Sequence, residues 1–105
     1  MISKNRRIPR LLFKPLLESK RYFNSQNFSL RVAQGKVAKV AVSVSKKVSK
    51  RAVVRNRIRR RTYSAIRKLL PNLSNNLFLL IAKPRAENVR GEKLKNELAE
   101  LFKKV

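Results

Sequence analysis

The sequence predicts an α+β fold, a two-layer α/β sandwich in which helices pack on one mixed sheet of about four strands. Two segments alternate apolar and polar side chains, as half-buried strands do, and a third is apolar on both faces, as a central strand is. Other segments carry apolar residues at helical spacing. The chain has 105 residues, of which 43% are hydrophobic, so we expect one domain over residues 1–105 with a small core.

The first twenty residues combine a basic arm with a weak helix signal. Residues 1–10 carry several cations and are expected to form a flexible basic arm. Residues 11–20 place Phe13 and four leucines at helical spacing. Because Pro15 removes one helix hydrogen bond, the helix predicted there is short or distorted.

Two alternating segments follow, at residues 27–33 and 37–45. They are joined by a short loop in which Gly35 is able to take a positive φ, a pattern that predicts an antiparallel hairpin. In the second strand, valines alternate with alanine and serines. The small residues predict a shallow surface, either a groove or a seat for a helix.

The second half of the chain predicts a long helix, a central strand and a last helix. Ser49 is the predicted N-cap of a helix from about Lys50 to Leu70, which Pro71 ends. The apolar segment is residues 77–82, and the last helix follows Gly91. The predicted order is α, β, β, α, β, α, with room for a further short strand. The side of the long helix expected to dock on the sheet comprises Val54, Ile58, Thr62, Ala65 and Leu69.

Charge predicts the class of partner. Lysine and arginine number 28 against five acids, a formal charge of +23, and the eleven cations from Lys46 to Lys68 are interrupted by no acid. Like charges four residues apart repel on a helix, whereas phosphates supply the missing counter-charge. Nucleic acid is therefore the first candidate and an anionic membrane surface the second. The pattern alone leaves RNA and DNA open, although a long helix lying on a sheet argues against a helix-turn-helix.

Composition argues against several kinds of chemistry. The chain has no Cys and no His, and its five acids form no evident pair for metal binding or acid–base catalysis. We therefore expect no catalytic residue and no metal site in the chain. The longest apolar run has six residues, Leu77 to Ala82, against about 20 needed to span a bilayer. With no targeting segment evident, a soluble, cytoplasmic protein that does not bind membranes is expected.

Residues 43–47 are Ser-Val-Ser-Lys-Lys, and residues 52–60 are Ala-Val-Val-Arg-Asn-Arg-Ile-Arg-Arg. These two stretches closely resemble the protein subunit of bacterial ribonuclease P. Phe13, the strand at 77–83 and the helix at 94–102 also fit the family. The resemblance implies a left-handed crossover around the long helix and a ribonucleoprotein endonuclease that removes the 5′ leader of precursor tRNA. It also implies that the RNA subunit holds the catalytic Mg²⁺, and no DNA partner is expected.

The resemblance, together with the charge pattern, predicts two sets of site residues. The predicted RNA-binding residues are Lys46, Lys47, Lys50, Arg51, Arg55, Asn56, Arg57, Arg59, Arg60 and Arg67. The predicted leader cleft, between the first helix and the sheet, comprises Phe13, Leu17, Phe28, Arg31, Ser43 and Ser45.

Some of these roles have alternatives. Asn56 either orients a phosphate or hydrated metal or makes a local helix hydrogen bond. Phe28, Ser43 and Ser45 either line the cleft or occupy ordinary core and edge positions.

The chain departs from the family at four positions. Leu17 and Arg31 stand where aromatics are common, Tyr63 stands where a basic residue is usual, and Pro15 is unexpected. Another RNA-binding protein, of the ribosome or its assembly, is the alternative function.

Overall fold

A computed structural model of the chain describes residues 7–8 and 12–105. Most of the predicted basic arm, residues 1–10, lies outside the described residues. The described elements are α1 (Phe13–Leu17), β1 (Tyr22–Asn24), β2 (Phe28–Gln34), β3 (Lys39–Ser43), α2 (Ala52–Arg67), β4 (Asn76–Ala82) and α3 (Gly91–Lys103), with 3₁₀ turns at Leu70–Asn72 and Pro84–Asn88. The predicted α+β class and mixed four-stranded sheet are confirmed.

The sheet has the strand order β1-β2-β4-β3. β4 pairs antiparallel with β2 and parallel with β3, so the predicted antiparallel hairpin of β2 and β3 is wrong. β4 is apolar on both faces and lies between the two alternating strands, and α2 is the crossover that connects β3 to β4. The additional short strand is β1, which pairs antiparallel with β2 at the sheet edge.

Gly35 is favoured by close packing rather than by a positive φ. Among the described glycines only Gly91, at the start of α3, has a positive φ, of 57°. A Cβ on Gly35 would lie 3.1 Å from the Leu77 side chain and 3.3 Å from its backbone nitrogen. The glycine therefore lets the chain leaving β2 pass close to the start of β4.

The ends of the helices differ from those predicted. α1 has only five residues, as expected, and Pro15 lies in its first turn, where a missing N–H costs least. α2 spans Ala52–Arg67, and its N-cap is Arg51, which makes no side-chain capping bond. Ser49 is therefore not the N-cap. Its hydroxyl instead accepts the N–H of Arg51 at 3.2 Å in the preceding turn.

The main core lies between one face of the sheet and the helices α2 and α3. Ile58 and Ile66 of α2, Leu98 of α3 and Phe28 of β2 are all essentially inaccessible to solvent. On the other face of the sheet, a smaller buried cluster contains Ile8, Leu16, Ala41 and Leu79. The helix α1 thus covers only part of that second face.

Candidate nucleic-acid interface

The outer side of α2 presents a dense cationic surface. Val54, Ile58, Thr62 and Ala65 are buried, so the basic residues turn away from the sheet. We call the exposed cations of α2 and of the loop before it the basic face. Its members are Lys46, Lys47, Lys50, Arg51, Arg57, Arg60 and Arg67.

Two arginines of α2 donate hydrogen bonds to backbone carbonyl oxygens of the protein itself. Arg55 is half-buried, and its Nη1 donates to the carbonyl oxygen of Ser49 at 2.9 Å, which ties the loop to the first turn of α2. Arg61 Nη1 donates to the carbonyl oxygens of Glu87 and Val89 at 3.3 and 3.1 Å. Arg55 therefore has a structural role that the sequence did not indicate.

Arg61 lies in a strongly cationic environment. Burial, followed by the charges of Arg90 and Arg57, lowers the pKa of Arg61 below its usual range, and Glu87 opposes this. Desolvation and neighbouring cations both disfavour a charged guanidinium, so the carbonyl contacts are what hold Arg61 in place.

Asn56 and Arg59 form a pair on the surface of α2. Arg59 Nη1 donates to Asn56 Oδ1 at 2.9 Å. This is the local helix hydrogen bond that was one of the two alternatives for Asn56. A metal or a hydrated metal at Oδ1 would have to compete with the Arg59 guanidinium.

The second face of the sheet has an uncovered row of side chains that runs across all four strands. Asn24 pairs with Ser29, Ser29 with Ile81, and Ile81 with Ser43, so the four residues lie side by side. Each is half-buried or exposed. We call this row the open face. In the next row, Leu79 and Ala41 belong to the cluster that α1 and Ile8 cover.

The structure separates the predicted cleft residues. Ser43 belongs to the open face, and Arg31 lies one row away on the same side of the sheet. Ser45 and Leu17 are exposed, Ser45 in the loop after β3. Of the two alternatives for Phe28, the structure shows the core position and contradicts the cleft: its side chain is 0% exposed, in the core under α2 and α3. Successive strand residues point to opposite faces, so Ser29 and not Phe28 reaches the open face.

A cavity of about 250 Å³ lies at the outer edge of β3, between α1 and α2. It is lined by Phe13 of α1, Ser43 of the open face, and Arg59 and Tyr63 of α2, together with Val42 and Val44. A cation of α2 and an aromatic ring of α1 thus line the same cavity.

Sequence reasoning missed two tyrosines. Tyr63 is buried, and its hydroxyl accepts the N–H of Val42 at 3.1 Å, so it supports the strand that carries Ser43. Tyr22 is 52% exposed, and the Arg31 guanidinium carbon lies 4.6 Å from its ring centre. The signals that point to these two residues are weak. Tyr63 lies at helical spacing from the buried residues of α2, and Tyr22 lies on the edge strand β1.

Comparison with known proteins decides the family. A family model described as Ribonuclease P matches residues 3–105. The chain belongs to the ribonuclease P family. Among its relatives is the ribonuclease P protein component of Microcystis aeruginosa, 40% identical over 68 residues, which are 64% of this chain and 57% of the relative. The component of Nostoc punctiforme is 53% identical over 49 residues, 46% of this chain and 35% of the relative.

Solved structures confirm the fold of this ribonuclease P family member. The RNase P protein of Staphylococcus aureus superposes with a TM-score of 0.82 at 22% identity, covering 93% of each chain. The RNase P protein of Thermotoga maritima superposes with a TM-score of 0.84 at 15% identity, covering 94% of this chain and 96% of the other. At these identities the likeness shows the shared fold.

The described part of this ribonuclease P family protein lacks two features. In residues 7–8 and 12–105, no helix is both long enough and apolar enough to cross a membrane. In the same residues, no three acidic, His or Cys side chains lie together as a metal site needs. The side chains of these described residues therefore do not fit a catalytic metal.

Proposed function

We propose that this chain is the protein subunit of a ribonuclease P ribonucleoprotein, an endoribonuclease that removes the 5′ leader of precursor tRNA. The chain binds the catalytic RNA subunit through the basic face, and it binds the leader along the open face. The catalytic Mg²⁺ ions belong to the RNA subunit. Family membership supports this proposal, although the aligned regions span only 57% and 35% of the two relatives.

The basic face suits the RNA subunit because its cations have no acidic neighbours on α2. Arg57, Arg60 and Arg67 are exposed, and a guanidinium binds phosphate through two parallel hydrogen bonds. Binding releases the counterions condensed on the RNA, which favours the complex. The basic face is therefore an RNA-backbone surface that does not require a particular base sequence.

The open face suits a single strand because it is narrow, extended and lined by small side chains. Ser29 and Ser43 present hydroxyls, and Ile81 between them presents an apolar contact. An unpaired strand lying across this row exposes its bases to the protein, as a duplex does not.

The observation that carries the proposal is the cavity at the outer edge of β3. Phe13, Ser43 and Arg59 line it together, so a cation of α2 lies beside the open face there. A strand on the open face is thereby brought next to RNA bound by α2. This is the geometry that a subunit needs if it presents a substrate to a catalytic RNA.

The test is reconstitution with the cognate RNA subunit, followed by cleavage of precursor tRNA at low Mg²⁺. The wild-type protein is expected to stimulate cleavage, and the RNA-free protein is expected to cleave nothing. Leader removal by protein from which all RNA has been digested would contradict the assignment of catalysis to the RNA. Binding of the RNA subunit without any stimulation would favour the alternative, a non-catalytic RNA-binding protein.

Matched double variants test the basic face. Changing Arg57 and Arg60 to Ala is expected to weaken assembly with the RNA subunit, by about 1–3 kcal/mol for each charge-assisted hydrogen bond that is removed. The control changes Lys93 and Lys103 of α3 to Ala, which removes the same charge from a different helix. Equal losses of affinity in the two double variants would mean that net charge alone, and not the basic face, determines binding.

A further inference from the structure

The pair Tyr22–Arg31 lies on the same side of the sheet as the open face, in the adjacent row. The two residues are cross-strand partners of β1 and β2, and the pair Asn24 and Ser29, two positions along, begins the open face. Paired residues two positions apart on antiparallel strands point the same way, so the Tyr22 ring stands next to Asn24, the β1 end of the open face.

Tyr22 is held in a stacked arrangement. The Arg31 guanidinium carbon lies 4.6 Å from the ring centre, within the range of a cation–π contact. Arg31 is itself anchored, since its Nη1 donates to the carbonyl oxygen of Ser19 at 3.2 Å. Its Nε is buried without a hydrogen-bond partner in the structure, so the guanidinium is held by stacking and by this single anchor.

Tyr22 remains accessible to a ligand. The residue is 52% exposed although Arg31 covers one side of its ring. An exposed aromatic ring offers a flat apolar surface with a polar tip, the combination that favours aromatic side chains at binding surfaces.

The neighbouring residues are cationic. Lys20 and Arg21 precede Tyr22 in the chain, and both are exposed. An exposed ring beside several cations is the combination that binds single-stranded nucleic acid, in which bases stack on the ring and phosphates contact the cations.

We propose that Tyr22, supported by Arg31, is a stacking platform for one unpaired nucleobase of the leader at the β1 end of the open face. This proposal rests on the proposed function, because it assumes that the open face binds the leader. The base stacks on the uncovered side of the ring, and Lys20 and Arg21 are close enough in the chain to contact the adjoining phosphates. Arg31 is a positioning residue that fixes the ring from the other side.

The experiment measures the affinity of the reconstituted holoenzyme for precursor tRNA and for mature tRNA. Tyr22→Ala and Tyr22→Leu are expected to lose at least about fivefold in precursor affinity, as removal of one base–aromatic stack does. Tyr22→Phe keeps the ring and is expected to bind like the wild type. None of the three is expected to change binding of mature tRNA, which has no leader.

Val37→Ala provides the matched control. Val37 is 46% exposed in the loop between β2 and β3, so the variant removes an exposed apolar side chain that belongs neither to β1 nor to the open face. It is expected to leave both affinities unchanged. Urea unfolding of each variant shows whether the fold is intact, and Tyr22→Leu retains apolar bulk if Tyr22→Ala is unstable.

A series of precursors, each with one abasic leader position, locates the stacked base. At one position the abasic site is expected to weaken wild-type binding but to have little further effect on Tyr22→Ala. Wild-type affinity in Tyr22→Ala, retained affinity in Tyr22→Leu, or equal losses for precursor and mature tRNA would overturn the platform. Those results leave the proposed function intact. The proposed function itself fails if the wild-type protein does not assemble with the RNA subunit or does not stimulate cleavage.

Discussion

Tyr63 shows how one side chain protects an exposed sheet edge. Among the described strands β3 pairs with β4 alone, and an isolated parallel bridge from Arg7 to Val40 lies on its outer edge. The Tyr63 hydroxyl accepts the Val42 N–H there, and Ile8 N–H donates to the Val40 carbonyl oxygen at 3.3 Å. Side chains and loops that occupy backbone groups of an edge strand in this way reduce its tendency to pair with another chain. The residue that departs from the family's usual basic side chain therefore supports the strand that carries Ser43.

Removing the Tyr63 hydroxyl is expected to destabilise the fold. Tyr63→Phe leaves the Val42 N–H without a partner at a buried position, which costs about 1–3 kcal/mol. The measurement is urea unfolding of the isolated protein. Tyr22→Phe is the control, because Tyr22 is exposed, and it is expected to change stability by less than about 0.5 kcal/mol. Equal stabilities of the two variants would show that the hydroxyl contributes nothing at the β3 edge.

Glu97 is a second residue whose role is not evident in the sequence. The outer side of α3 mixes acids and lysines, a pattern that predicts an ordinary solvated surface. In the structure Glu97 accepts three hydrogen bonds, from the Ser25 hydroxyl, the Asn27 N–H at 2.8 Å and Asn27 Nδ2 at 2.6 Å. One carboxylate thus joins α3 to the loop between β1 and β2.

Neutralising Glu97 is expected to weaken that junction. Glu97→Gln replaces a carboxylate oxygen with an NH₂ group that faces other donors, and the expected loss of stability is about 1.5–3 kcal/mol. Glu100→Gln makes the same change on the same helix. Glu100 only pairs with Lys103 at 3.7 Å between exposed side chains, so its variant is expected to change stability by less than about 1 kcal/mol. Thermal or urea unfolding that ranks the two variants the other way would refute the role given to Glu97.

At the scale of elements, α2 lacks the usual device for starting a helix. Arg51 occupies the N-cap in an extended conformation and makes no side-chain capping bond, and the first turn contains no acid. Cations near a helix N-terminus are unfavourable because the helix dipole is positive there. α2 therefore begins at a locally unfavourable place, and an RNA phosphate close to this end would relieve the repulsion.

Adding a proper N-cap is expected to separate stability from binding. Arg51→Ser supplies a capping hydroxyl and removes a cation, so stability is expected to rise by about 0.5–1 kcal/mol. Lys50→Ser removes the same charge one residue before the cap. The stability of this variant is expected to stay closer to that of the wild type. Both variants are expected to bind the RNA subunit more weakly. A destabilised Arg51→Ser protein would show that the Arg51 side chain has a folding role.

The elements also show what the sequence could and could not predict. Alternation located β2 and β3, and the doubly apolar pattern of residues 77–82 identified the central strand, because burial on one or both faces determines these patterns. The same alternation says nothing about which strand is the neighbour, so the insertion of β4 between β2 and β3 was missed. It also does not say which face the helices α2 and α3 cover, so Phe28, which packs under them, was included among the predicted cleft residues.

For the candidate site, too, the features that depend on local sequence were predictable and the tertiary contacts were not. The exposed cations of α2 follow from the run of basic residues and the buried stripe, which are both local in sequence. The bond from Arg55 to the Ser49 carbonyl and the stacking of Arg31 on Tyr22 depend on tertiary placement, and no local pattern encodes either contact.

At the scale of the whole molecule, unbalanced charge is the dominant property. A formal charge of +23 belongs to a chain whose described part measures 34 × 28 × 26 Å. Within that described part only two ion pairs form, both between exposed residues three positions apart on α3. Such pairs contribute little to stability, so most of the repulsion has no internal compensation. A polyanion that covers the basic face supplies the compensation from outside.

The salt dependence of RNA binding tests this view of the whole molecule. If the basic face and its neighbours neutralise on the order of 6–8 phosphates, log affinity for the RNA subunit is expected to fall with log salt concentration with a slope of several units. Changing Arg57 and Arg60 to Ala is expected to reduce the steepness of that slope by about one unit for each phosphate that is no longer neutralised. The measurement is a titration of labelled RNA subunit at a series of salt concentrations with constant free Mg²⁺. A wild-type slope shallower than about −2, or a slope that the double variant leaves unchanged, would mean that contacts other than counterion release hold the complex together.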